Sequence, residues 1–94
     1  MSVADAHLRL EHIRIVSERT VFIPHVFANA RQDGTWEAWI EFQPEGGGSS
    51  CATERETTQP NFAAVEYWAQ GLEPVYFEGA FERAVALASR NSSR

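Results

Sequence analysis

The chain has 94 residues, 44% of them hydrophobic and 22% charged, and its 13 acidic against 8 basic side chains give a formal net charge of -5. A chain of this length makes one domain, buries roughly 60–65% of the surface its unfolded form exposes, and can hold a modest core without metal or disulfide. The acidic balance argues against a general phosphate-backbone binder, which gains affinity by neutralising many phosphates, so no nucleic-acid partner is expected.

From His7 to Val16, apolar residues fall at Leu8 and Leu10 and then at Ile13 and Ile15. The parity changes near Glu11–His12, which predicts a strand with a bulge or bend, with a helix opened by Ser2 as the alternative for residues 7–16. Ser17 to Thr20 reads as a turn. Val21 to Arg31 is rich in β-branched and aromatic residues, and Thr35 to Gln43 alternates with Trp36, Ala38, Ile40 and Phe42 on one face, so both read as strands.

The loop between them fixes the register. A two-residue Asp33-Gly34 turn would mix polar and apolar residues on each face. A three-residue loop with Gly34 in the left-handed position of a bulge instead pairs Ala30 with Trp36, Ala28 with Ala38 and Val26 with Ile40. The opposite face then carries Arg31 with Thr35, Asn29 with Glu37, Phe27 with Trp39 and His25 with Glu41. Because a one-residue slip moves every side chain across the sheet, the register that segregates the faces is preferred.

Pro44 to Ser49, with three consecutive glycines, is a flexible loop, and Ser50 to Thr57 a weak strand. Thr58-Gln59-Pro60 predicts a helix start with Thr58 as cap, followed by Phe62, Val65, Ala69 and Leu72 at helical spacing and an end at Gly71. Glu73-Pro74 opens a second helix to about Arg90, with a stripe of Phe77, Phe81, Ala84, Val85 and Ala88. Its Ala80/Ala84/Ala88 strip suits close approach of another helix. Trp36 and Trp68 are expected in the core, while Tyr67 and Tyr76 keep their hydroxyls in water. The fold class is α+β: a three- to four-stranded antiparallel meander followed by two C-terminal helices on one sheet face. Residues 1–6 are expected to be a flexible N-terminus, 7–90 the domain and 91–94 a disordered tail.

No apolar run approaches the ~20 residues of a membrane span, and MSVADAHLRL carries Asp5 where a secretory signal needs an apolar core, so a cytoplasmic protein without a membrane partner is expected. The lone Cys51 forms no internal disulfide and supplies no zinc set. All eight basic residues are arginine, which fits a GC-rich bacterial source.

Two places draw attention as sites. The polar sheet face sets His25 and Glu41 beside Phe27 and Trp39. A carboxylate next to an imidazole can support acid–base work, but no nucleophile or oxyanion-stabilising loop accompanies them, and a Phe beside a Trp more often marks a buried contact. At the strand–helix junction, Arg55 can grip a carboxylate or phosphate while Glu56 and Thr58 either join it or serve as helix caps. Glu78 and Glu82 belong to a solvated helix face, and His7 and His12 are too loosely placed to suggest a metal. No metal and no cofactor are expected.

The stretch Trp36-x-Ala38-x-Ile40-x-Phe42, then Thr53-x-Arg55-Glu56-Thr57-Thr58-Gln59, then Tyr67-Trp68-Ala69-x-Gly71-Leu72 resembles small bacterial proteins of uncharacterised function. In its strand-strand-strand-helix order the chain is also similar to antitoxin-type domains related to double-stranded-RNA binders, but it lacks their basic helix start. The expectation is a non-catalytic protein-interaction module, homodimeric through the face bearing Phe27, Trp39, His25 and Glu41. The alternative is a small anionic-ligand or catalytic site around Arg55, Glu56 and Thr58.

Overall fold

In the computed structural model, which describes residues 4–92, the strands are β1 (Ala6–Arg9), β2 (Ile15–Ser17), β3 (Thr20–Ala30), β4 (Trp36–Pro44), β5 (Cys51–Ala52) and β6 (Thr57–Gln59). Two helices follow, α1 (Phe62–Gly71) and α2 (Pro74–Ser92). The architecture is the expected α+β, an antiparallel sheet with the helices after it. Of the expected end segments, residues 1–3 and 93–94 lie outside the described residues, while Ala6 already belongs to β1 and α2 continues through Ser92.

The β3–β4 hairpin is the spine. Gly34 takes φ +89, a left-handed conformation that costs glycine little. Its N–H donates to the Arg31 carbonyl at 3.0 Å, and Asp33 Oδ1 accepts from the Thr35 N–H and hydroxyl at 3.0 and 2.6 Å. The three-residue loop therefore sets the face-segregating register, with Ala30 opposite Trp36, Ala28 opposite Ala38 and Phe27 opposite Trp39. At the other end of β3, Glu18 and Arg19 turn the chain with φ of 48 and 69, left-handed values that side chains other than glycine rarely adopt.

Both outer strands are broken. β1 ends with Arg9 opposite His25, and β2 begins with Ile15 opposite Phe22, so six residue steps of edge chain pass three of β3. The surplus is odd, and it inverts which parity faces the core. That is why Leu8 and Ile15 both point to the helix side. Leu10 and Ile13, joined by an N–H···O=C bond of 3.2 Å within the intervening loop, are both buried in the core. Pro24 sits opposite this loop. Its carbonyl accepts from the Leu10 N–H at 3.0 Å, so its missing N–H would point to the same side, where the edge chain has left the ladder. A proline is thereby accommodated inside a central strand.

On the far edge, Ala52 lies opposite Glu41 and Thr57 opposite Ala38, five steps against three. This surplus is even, so the faces are kept while Glu54 and Arg55 loop outward. Thr53 stays on the ladder: its N–H donates to the Ile40 carbonyl at 2.8 Å and its hydroxyl accepts from the Ile40 N–H at 3.1 Å.

The helix start differs from expectation. Thr58 lies in β6, and α1 is capped by Asn61, whose side chain accepts from the Ala64 N–H at 2.8 Å. Thr57 to Gln59 are claimed by the free edge of β4, which offers ladder bonds that a helix at those residues would forgo. α2 opens at Pro74 as expected. Its buried stripe is Phe77, Ala80 and Ala84, whereas Val85 is exposed. The alanine strip faces the sheet and not a second helix, because α2 lies across β4 and β5 and small side chains let it settle there. Phe81 fills the remaining gap, 5.0 Å from Phe22 and 5.2 Å from Phe42 between ring centroids. The core thus lies between one sheet face and the helices: Val26, Ala28, Ala38, Ile40 and Phe42 from the sheet, Val65 and Ala69 from α1, Phe77, Ala80 and Ala84 from α2. Trp36 and Trp68 flank it half-buried, one against Phe62 and the other against Tyr76, and are not enclosed as expected. Among the described residues no helix is long and apolar enough to cross a membrane.

Candidate functional site: the helix-free sheet face

Alternation puts His25, Phe27 and Asn29 of β3 and Glu37, Trp39 and Glu41 of β4 on the face away from the helices, and β1 adds His7 and Arg9. The rings form a row. His7 stacks on Phe27 with centroids 4.5 Å apart and planes 4° from parallel, and lies 4.8 Å from His25. Phe27 in turn stacks on Trp39 at 6.1 Å and 20°. Phe27 and Trp39 are half-buried by these neighbours, and His25 is only 5% exposed.

His25 does not form an acid–base pair with Glu41. Its Nδ1 is 2.6 Å from His7 Nε2, a hydrogen bond in which one imidazole donates and the other accepts. The Glu41 carboxylate accepts from Gln43 Nε2 at 3.1 Å and Ser50 Oγ at 2.9 Å. Burial pushes the His25 imidazole below its usual range, helped by the His7 and Arg9 charges and opposed by Glu41 and Glu11. His7, set aside in the sequence as too loosely placed, is a member of this row. Its odd position would have placed it there had β1 been paired to β3. Toward the hairpin tip, Arg31 Nη1 lies 3.4 Å from Glu37 Oε1, and at the strand start Asp5 accepts from the Ala30 N–H at 2.9 Å.

The second expected site is not assembled as the sequence suggested. Glu56 turns toward α2, where its carboxylate, 10% exposed, accepts from the Tyr76 hydroxyl and from Arg83 Nη2, the latter at 2.6 Å. The Tyr76 hydroxyl is therefore bonded to the protein and not left to water, and burial together with Glu56 pushes it up to about 12. Arg55 is half-exposed with Nη1 3.9 Å from Glu37 Oε1, and Thr58 stands exposed on β6 away from the α1 cap. A cleft of about 280 Å³ does open beside Arg55, between the Thr53–Glu56 loop and Arg83, Leu87 and Arg90 of α2. It flanks the C-terminal half of α2 and not a helix start, so no helix amides point into it as an anion holder.

Cys51 is half-buried, and burial and Glu41 both push its thiol up, which leaves it a poor nucleophile. Among the described residues no group of three or more His, Cys, Asp or Glu is placed to hold a metal ion. Comparison of the chain with protein-family models, with curated proteins and with solved structures finds no match, so a functional reading rests on this geometry.

Proposed function

We propose that the protein is a non-catalytic interaction module that self-associates through the helix-free sheet face, with Phe27, Trp39, His25 and Glu41 at its centre. The observation that carries this reading is the row of stacked rings, since a solvated sheet face gains nothing from four adjacent aromatic and imidazole rings. A second copy is the occupant that the charge pattern favours. Arg9 stands on the β1 side of the face, and Glu37 and Glu41 line β4. A two-fold axis running along β3 lays β4 of each copy over β1 of the other, with Glu41 level with Arg9. The size also suits: four strand widths of ~4.8 Å by a long strand of ~37 Å give a face on the order of 700 Å² per copy, close to the ~800 Å² of an ordinary stable interface. Short, broken edge strands offer little for edge-to-edge pairing, which leaves the face as the route to association.

A non-catalytic role is supported by the His25–His7 bond, which occupies the imidazole that acid–base work would need. The all-arginine basic set supports a bacterial source, and the acidic balance speaks against nucleic acid. A second reading, a small anionic ligand in the cleft beside Arg55, has the cleft itself in its favour. Glu54 and Glu56 also line that cleft, and Arg83 is already engaged by Glu56. Sedimentation equilibrium across micromolar concentrations tests the primary reading: a dimer is expected, and a clean monomer throughout sinks it.

A further inference from the structure

The His7 Nε2 to His25 Nδ1 separation of 2.6 Å has room for one proton between the two rings. A neutral pair satisfies it, with one imidazole donating and the other accepting. A pair carrying one extra proton satisfies it as well, because the added proton sits on an outer nitrogen. A pair carrying two extra protons cannot, since both inner nitrogens then bear hydrogens aimed at each other. His25 is 5% exposed and is held between β1 and β4, so it has no way to turn its ring to water. His7 is exposed and can swing out, but doing so gives up its 4.5 Å stack on Phe27.

We propose that the His7–His25 pair is a proton-operated clasp that holds β1 and the ring row in place at neutral pH and, on acidification, lets go of both and of a second copy of the chain. This rests on the reading of the sheet face as the contact surface. The charged groups facing the pair set its operating range. Arg9 on β1 is the register partner of His25 and disfavours added protons, although Glu11 in the following loop draws off part of that charge with Oε1 3.8 Å from Arg9 Nε. Glu41 on β4 favours added protons, but its carboxylate is held by Gln43 and Ser50 and makes no bond to the imidazole. Phe27 and Trp39 bring no charge. Burial and Arg9 therefore act in the same direction as the steric limit on the second proton, and Glu41 and Glu11 oppose them. His25 takes up a proton less readily in the folded chain than a free imidazole would, so the folded, associated state loses ground as pH falls below the unfolded histidine value near 6.5.

The test compares wild type with two variants at an exposed position: His7→Gln, which keeps a donor for His25 Nδ1 but does not titrate, and His7→Phe, which keeps a ring on Phe27. Two readouts are taken between pH 7.5 and 5.5: protection factors of the Ala6–Arg9 amides by hydrogen exchange, and the dimer dissociation constant by sedimentation. In wild type, protection of β1 is expected to fall about tenfold and the dissociation constant to rise about tenfold, the change that one linked proton gives per pH unit. In both variants each readout is expected to change far less steeply than in wild type, because the clash of two inner protons is gone while burial and Arg9 still act on His25. Constant β1 protection in wild type overturns the clasp, as does a His7→Gln variant that loosens as steeply as wild type. A wild type that is monomeric at every pH while β1 still loosens in acid removes the contact surface and leaves the clasp standing, which separates the two failures.

Discussion

Glu56 and Tyr76 join the outer edge of the sheet to α2 through a hydrogen bond that only a protonated phenol can donate, and Arg83 completes the set with its guanidinium 5.8 Å from the Tyr76 ring centroid. The phenol is pushed up to about 12 from 10.0, chiefly by burial and then by the Glu56 carboxylate. The sign of the linkage follows. Above pH 10 the unfolded chain releases the Tyr76 proton while the folded chain keeps it, so stability is fully present below pH 10 and is lost as pH rises toward about 12. Denaturant midpoints measured from pH 9 to pH 12 should fall across that window. The fall should be shallower in Glu56→Gln, which removes the charge that holds the proton on, and ultraviolet titration should show a late-ionising tyrosine that moves to lower pH in the same variant. Glu56 and Arg55 stand out together in the sequence because they are adjacent and charged. Which of them would meet α2 was not legible, because that depends on the two-residue surplus at Glu54–Arg55, and no local pattern announces it.

At the scale of elements, parity carried most of what could be read. The central hairpin was legible to the residue, because Gly34 and the alternation of both strands admit only one register that keeps the faces apart. The change of parity near Glu11–His12 was legible as a break, and its cause is the odd surplus of edge chain opposite Pro24. The α1 start differs from its local signals because Thr58 and Pro60 favour a helix, yet β4 offers Thr57–Gln59 a ladder, and tertiary pairing overrides the local preference. The parity argument makes a sharp prediction. Deleting His12 alone changes the surplus from odd to even, so β1 and β2 can no longer both present their apolar residues to the core. Either Leu8 and Leu10 or Ile15 must leave it. The loss should be about 2–4 kcal/mol in denaturant unfolding, the worth of one or two large aliphatic side chains, with hydrogen exchange of β1 rising far more than that of β3. A deletion that costs less than about 1 kcal/mol would show that the loop, and not the register, decides how β1 sits.

For the whole molecule, the sheet divides the aromatic residues into two populations with different work, and two tryptophans three positions apart on β4 separate them. Trp36 lies on the helix side, 5.3 Å from Phe62, at the margin of the core. Trp39 lies on the opposite side, stacked on Phe27 and in contact with neither helix through its ring partners. Truncating Trp36 to Ser removes packing that α1 needs and exposes part of the core, so unfolding stability should drop by about 2–4 kcal/mol with little change in the association of whatever remains folded. Truncating Trp39 to Ser removes one cross-strand ring pair from the monomer, worth about 0.5–1.5 kcal/mol, but it removes the middle of the proposed contact surface, where aromatic anchors dominate binding. Self-association should therefore weaken by roughly 30-fold or more, about 2 kcal/mol, while the monomer stays folded. Measured side by side by sedimentation and denaturant unfolding, the two variants should exchange ranks between the two experiments. Equal loss of fold in both would place Trp39 in the support of the monomer alone, and the sheet face would then be a self-satisfied surface whose rings cover one another.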